Sequence, residues 1–177
     1  MENKICAAHQ PNFFPWLGYF DKIKRSNKFV VLDSVQLEKT GGTWSNRVRL
    51  KIQGESKWVT APINRPSGLQ NIDAVLFQNT NWRTKLIKTI QANYSKAPHY
   101  NIYKDFIIEL INYPSNNVVE YNLNAISKIC DLLSISFKDK VVLSSTFKLV
   151  SSSNQLLIDL TKKVNCNTYM AGSGAEG

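Results

Sequence analysis

Two prolines, Pro11 and Pro15, constrain this chain more than any other feature, because of what stands on either side of them. Lys4 to His9 is a short apolar run that ends in polar residues and a proline, the pattern of a buried strand in a parallel sheet. The strand has to stop at Pro11, which has no N–H to give to a ladder. Trp16, Leu17, Phe20 and Ile23 then recur at helical spacing, and Pro15 falls in the first turn of that helix, where a missing N–H costs nothing. Phe29 to Leu32 reads as a second strand closed by Asp33. Strand, helix and strand within about 30 residues make a βαβ unit, with parallel strands and a right-handed crossover.

The pattern then changes. Arg47 to Ile52 alternates polar and apolar residues, Gly54-Glu55-Ser56 reads as a turn, and Lys57 to Pro62 is β-like again, so the two runs predict a hairpin. A third short strand is expected at Ala74 to Phe77. Helical stripes run from Trp82 to Tyr94, from Phe106 to Ile111 and from Asn122 to Leu133. A strand is expected at Lys140 to Leu143, a helix after the polar start Ser151 to Asn154, and a last strand at Asn167 to Ala171 running into Gly172-Ser173-Gly174. The fold class is α/β: a mostly parallel sheet with an inserted hairpin and helices on both faces, as a single domain over residues 1–177.

Composition narrows the class. Apolar residues are 43% and charged residues 20% of 177, too apolar for a disordered chain and ordinary for a globular one. Cys6, Cys130 and Cys166 show no C-x-x-C spacing, so neither a disulfide framework nor a zinc site is indicated. No window has the length of a signal peptide core or a membrane span, and the expected home is the cytoplasm. The net charge of +9 is spread along the chain without a basic run or a nucleic-acid signature. It reads as a solvated basic surface or as a field that steers an anionic small substrate, ahead of nucleic acid.

In an open parallel sheet ligands bind beyond the carboxyl ends of the strands. His9, Asp33 and Gly172-Ser173-Gly174 are predicted at such ends. His9 suits a general base, since its ordinary pKa lies near working pH, and Asp33 suits a carboxylate that orients it or binds substrate. Gln10 and Asn12 offer neutral hydrogen-bonding groups, with a turn role for Asn12 as the equal alternative. Trp16 and Tyr19 offer rings for stacking, although helix-to-sheet packing is the first reading of Trp16. Gln36, Lys39, Asn46 and Arg47 follow within a few residues, and an arginine in a cleft suits phosphate or carboxylate. Gly172, Ser173 and Gly174 offer backbone N–H groups to an anion. Cys6 reads as core, and His99 falls in a loop with no partner for a metal site.

His9-Gln10-Pro11-Asn12-Phe13-Phe14-Pro15-Trp16-Leu17-Gly18-Tyr19-Phe20-Asp21-Lys22-Ile23 resembles the opening signature of the WbqC-like family. The resemblance continues through Phe29 to Leu37, Trp44-Ser45-Asn46-Arg47, Trp58 to Pro62, Asn93 to Tyr100 and Thr168 to Ala175, and so covers nearly the whole chain. It implies a bacterial protein of O-antigen and surface-polysaccharide biosynthesis, where amino sugars are built and acylated. Members carry further chain after the glycine-rich motif, whereas this sequence ends at Gly177. The leading expectation is transfer of an acyl or aminoacyl group to a nucleotide-linked amino sugar, with His9 as base and Lys39 and Arg47 on phosphate or carboxylate. The acyl donor is acyl-CoA, or an acid activated by ATP with magnesium. The opening also resembles, at fold level, HIGH-motif nucleotidyltransferases, with Trp16-Leu17-Gly18-Tyr19 in place of the histidine pair and His9, Lys22, Lys39 or Arg47 as substitutes. Nucleotidyl transfer and a non-catalytic sugar-nucleotide or partner-binding module are the alternatives.

Overall fold

The computed structural model describes residues 2–37, 43–65, 68 and 70–172. They form two compact units. The first takes its described residues from Met1–Pro11, Pro15–Val35 and Ile129–Gly177, and the second from Asn12–Phe14 and Gln36–Lys128.

In the first unit β1 (Ile5–His9), α1 (Leu17–Arg25) and β2 (Lys28–Val31) form the expected βαβ unit. The last turns of α4 (Val118–Leu132) lead to β5 (Val141–Leu143), α5 (Ser153–Lys163) and β6 (Thr168–Met170). All four strands are parallel, in the order β5-β2-β1-β6. Alternation along the strands divides the side chains between two faces. Cys6, Ala8 and Val30 pack with Leu160 of α5 and with Val164 just after it. On the other face Phe29 meets Tyr19 of α1 at 5.1 Å between ring centroids, and α1 buries Tyr19, Phe20 and Ile23. Lys140 closes the end of α1, its Nζ donating to the carbonyls of Lys24 at 2.6 Å and Ser26 at 2.8 Å. A cation there meets the negative end of the helix dipole.

In the second unit β3 (Arg47–Ile52) and β4 (Glu55–Thr60) form an antiparallel hairpin. Its turn is Gln53-Gly54, both with positive φ, the pair of left-handed residues that matches strand twist in a two-residue loop. β4 therefore starts at Glu55, two residues before the expected Lys57. The core is aromatic: Phe13 stacks on Tyr121 with centroids 5.9 Å apart and planes at 17°, and Phe77 and Trp82 stand 5.0 Å apart beside them. Tyr121 donates its buried hydroxyl to the Ile111 carbonyl at 3.0 Å.

Three expectations change here. Ala74 to Phe77 is not a strand: Ile72–Ala74 is a 3-10 turn, and Leu76 and Phe77 make only isolated bridges, to Asn117 and Ile63. The helix expected from Phe106, α3, runs over Tyr100–Ile111; its first turns expose Ile102 and Tyr103, so no apolar stripe marks them in the sequence. The helix expected from Asn122, α4, starts at Val118, where Asn117 caps it by accepting the Glu120 N–H at 3.0 Å. Trp82–Tyr94, α2, holds the predicted bounds.

Asp33 ties the end of β2 to the end of β5. Its carboxylate accepts from the Ser144 hydroxyl at 2.8 Å, the Ser145 N–H at 3.0 Å and the Ser145 hydroxyl at 2.6 Å, at 3% exposure. Asp33→Ala is expected to lower the unfolding free energy by about 1–3 kcal/mol, since it strands the buried Ser144 hydroxyl and takes the acceptor from two donors of the exposed Ser145, as read from urea denaturation.

Candidate functional site

The strand order defines an edge. Connections from β1 run to β2 and onward to β5, while β6 lies on the other side of β1, so the winding reverses between β1 and β6. In an open α/β sheet the crevice beyond the carboxyl ends at such a reversal is where ligands bind. The residues at those two ends are His9 and Gln10 after β1, and Ala171 and Gly172 after β6.

His9 is held on three sides. Its ring meets Trp16 at 5.4 Å, nearly perpendicular, and Tyr19 at 5.2 Å. Nδ1 lies 3.3 Å from the Gln10 carbonyl, which also accepts the Tyr19 hydroxyl at 3.1 Å. A proton on Nδ1 donated to that carbonyl leaves the Nε2 lone pair as the basic one. Gly18 makes room for this arrangement: a Cβ there would sit 2.6 Å from the Trp16 Nε1, so any side chain displaces the indole from His9. Trp16 itself makes the close approach at Gly18; it is 48% exposed and leaves ring surface in solvent.

Lys22 is the cation of this edge. Its Nζ donates to the Ala8 carbonyl at 3.2 Å and lies 4.0 Å from where a Cβ on Gly172 would stand. Among the described residues no carboxylate forms an ion pair with it. Burial lowers its pKa. Burial first, and the Lys22 ammonium second, hold His9 below its ordinary pKa of 6.5. The edge thus carries a neutral imidazole beside an ammonium that has no ion-pair partner among the described residues. Lys22 was legible in the sequence only as a substitute for a missing histidine; its spacing from Ala8, one helix apart, marks it once the crossover is drawn.

The other candidates divide. Asp33 is taken up by Ser144 and Ser145, and among the described residues no hydrogen bond joins it to His9. Gln36, in the second unit, is exposed and bridges Asn71. Asn46 is fully used: its Oδ1 accepts the Thr43 N–H and hydroxyl, each at 3.2 Å, and its Nδ2 donates to Ala61 at 2.9 Å. Asn12 is the reverse. It is 1% exposed, and neither carboxamide atom has a hydrogen-bond partner among the described residues. The Phe13 N–H, donated to the Trp44 carbonyl at 2.8 Å, clasps its turn to the segment that carries Arg47. Phe14 turns the chain there with φ at 45°, a conformation that a bulky residue adopts only under constraint. Lys39, Ser173 and Gly174 lie outside the described residues.

Burial pushes the Cys6 and Cys130 thiols up to about 11, which suits core rather than nucleophile. A cavity of about 630 Å³ opens beside α5 and β6, lined by Leu157, Thr161, Lys162, Cys166 and Tyr169, none of them a sequence candidate. Among the described residues no group of three or more His, Cys, Asp or Glu is placed to hold a metal ion, and no helix is long and apolar enough to cross a membrane.

The profile of the WbqC-like protein family matches residues 10–177, from the residue after His9 to the last one. The chain belongs to that family. It is also similar to an uncharacterized protein of Mycobacterium tuberculosis, 28% identical over 174 residues, which is 97% of this chain and 74% of the relative. No solved structure matches the chain.

The contrast between the two asparagines is testable. Asn12→Leu is expected to leave stability unchanged or raise it by about 1–2 kcal/mol, since it removes a buried amide that lacks partners, whereas Asn46→Leu lowers it by about 2–4 kcal/mol. Chemical denaturation of the two variants decides it.

Proposed function

We propose that the protein is an enzyme of bacterial surface-polysaccharide (O-antigen) biosynthesis that transfers an acyl or aminoacyl group to the amine of a nucleotide-linked amino sugar. Family membership supports the setting, and the observation that carries the chemistry is the neutral His9 beside Lys22 at the winding reversal. The amine nitrogen attacks the acyl carbon, the new C–N bond forms, and the bond from that carbon to its thiolate or phosphate leaving group breaks. His9 Nε2 takes the proton that the amine loses and returns it to the leaving group or to water. The Lys22 ammonium stabilises negative charge, on the substrate phosphates or on the oxyanion that develops at the acyl carbonyl. Trp16, half exposed beside His9, gives the sugar or base a ring to lie against. The acyl donor is a thioester of coenzyme A or an acid activated by ATP with magnesium; a cation such as Lys22 suits the phosphates of either.

Such a base sets the pH response. His9 works in its neutral form, and its lowered pKa keeps it neutral to pH values below 6.5. The decline of kcat/KM on acidification is expected to have its midpoint below 6.5. The purified protein, offered UDP- or dTDP-linked amino sugars with acetyl-CoA or with ATP, magnesium and a carboxylic or amino acid, is expected to give an amide product by mass spectrometry. His9→Gln should cut kcat by about 10²–10⁴-fold with little change in substrate binding, and Lys22→Met should raise KM. Binding of the sugar nucleotide without turnover with any donor would favour the non-catalytic module, and pyrophosphate release without an amide product would favour nucleotidyl transfer.

A further inference from the structure

The β3–β4 hairpin has two unlike faces. Register pairs Arg47 with Thr60, Arg49 with Trp58 and Lys51 with Ser56. Alternation puts these six side chains on one face, with Val48, Leu50 and Ile52 on the other. The apolar face is used: Leu50 shares a cavity of about 340 Å³ with Ile90, Tyr94 and Ile107. The opposite face exposes Arg49, Lys51, Ser56 and Thr60. It holds three cations, one indole and two hydroxyls, with no carboxylate among the six. Trp44, 47% exposed, stands edge-on to Trp58 at 5.0 Å and extends the aromatic surface.

The arrangement of the two arginines is the telling part. The Arg47 guanidinium lies 4.2 Å from the Trp58 ring centre and that of Arg49 lies 4.7 Å from it. Cation–π contact with the indole restrains each guanidinium, and a guanidinium held in this way keeps N–H donors to offer an anion. Two like charges gathered on one ring repel each other, and no carboxylate of this face offsets them. A ligand that places two adjacent negative charges across both forks relieves that repulsion and gains charge-assisted hydrogen bonds from each. The Nε of Arg47 is buried and has no hydrogen-bond partner among the described residues.

We propose that this hairpin face binds a nucleoside diphosphate moiety, with the diphosphate across Arg47 and Arg49, Lys51 adding charge, and the base against the exposed Trp44. It deepens the reading above, on which it rests for the nucleoside part of the ligand. The chemistry recognised is a vicinal pair of phosphates joined to a flat ring, and the face makes no demand on the sugar.

Isothermal calorimetry on the intact protein tests it, with UDP, dTDP, UDP-glucose, inorganic pyrophosphate and a ten-residue oligothymidylate as probes. UDP or dTDP should bind in the micromolar range, Arg49→Gln should weaken it at least tenfold, and Arg49→Lys should recover only part of the loss. Arg49 is exposed, so both variants keep the fold, which their thermal transitions verify. Trp44→Ala should weaken UDP and leave pyrophosphate unchanged. Equal affinity for pyrophosphate and UDP overturns the nucleoside half of the proposal. Tighter binding of the oligothymidylate, with a steep loss on adding salt, overturns it in favour of single-stranded nucleic acid. UDP binding that Arg49→Gln and Arg47→Gln leave untouched overturns the site while sparing the transferase reading. UDP binding through Arg49 with no amide product from any donor does the opposite.

Discussion

A parallel sheet ordered β5-β2-β1-β6 has to reverse its winding between β1 and β6, and the first unit is built around that reversal. In open α/β sheets, helices on opposite faces diverge at such a reversal, and ligands bind beyond the strand ends there. The chain fills that position with residues of unlike character. His9 closes β1, Gly172 follows β6 with no side chain to block the approach, and Lys22 reaches back from α1 to the Ala8 carbonyl. Pro11 and Pro15 bound the turn that follows His9.

Electrostatics then sets what the edge does. A half-buried histidine and a half-buried lysine that pair with no carboxylate among the described residues each favour the neutral form more than they would in water. The lysine starts far enough up the scale to keep its charge at neutral pH, while the histidine does not, and the pair becomes a base beside a cation. Asp33, one strand away, is kept out of this by Ser144 and Ser145. Its role is to hold β2 and β5 together at their ends, which fixes the sheet in which His9 sits.

Much of this was legible because local signals agreed. Pro11 and Pro15, the stripe in α1 and the run at Phe29 to Leu32 gave the βαβ unit within a residue or two, and Trp82 to Tyr94 gave α2 at its observed bounds. Signals that depend on side-chain bonding were harder. Asn117 caps α4 with its own side chain, a start signal visible in the sequence but masked by the apolar stripe that begins later. Val75 and Phe77 are buried through isolated bridges and a 3-10 turn, and nothing in four apolar residues separates that from a strand. At the site, residue type alone ranked Asn12 with Asn46, and only the hydrogen bonds show that Asn46 is satisfied while Asn12 has no partner among the described residues. Arg49, Lys51 and Trp58 were hidden because a two-stranded face exists only once the register is known.

The account stands on His9 being neutral in the folded protein because of where it is buried and what lies beside it. An NMR titration of the imidazole resonances tests this directly, since His99 is the only other histidine and His99→Gln leaves a single signal. The account predicts that His9 titrates below 6.5 and that Lys22→Met moves it upward, toward the ordinary value. A His9 that titrates at or above 6.5, and ignores the loss of Lys22, contradicts it.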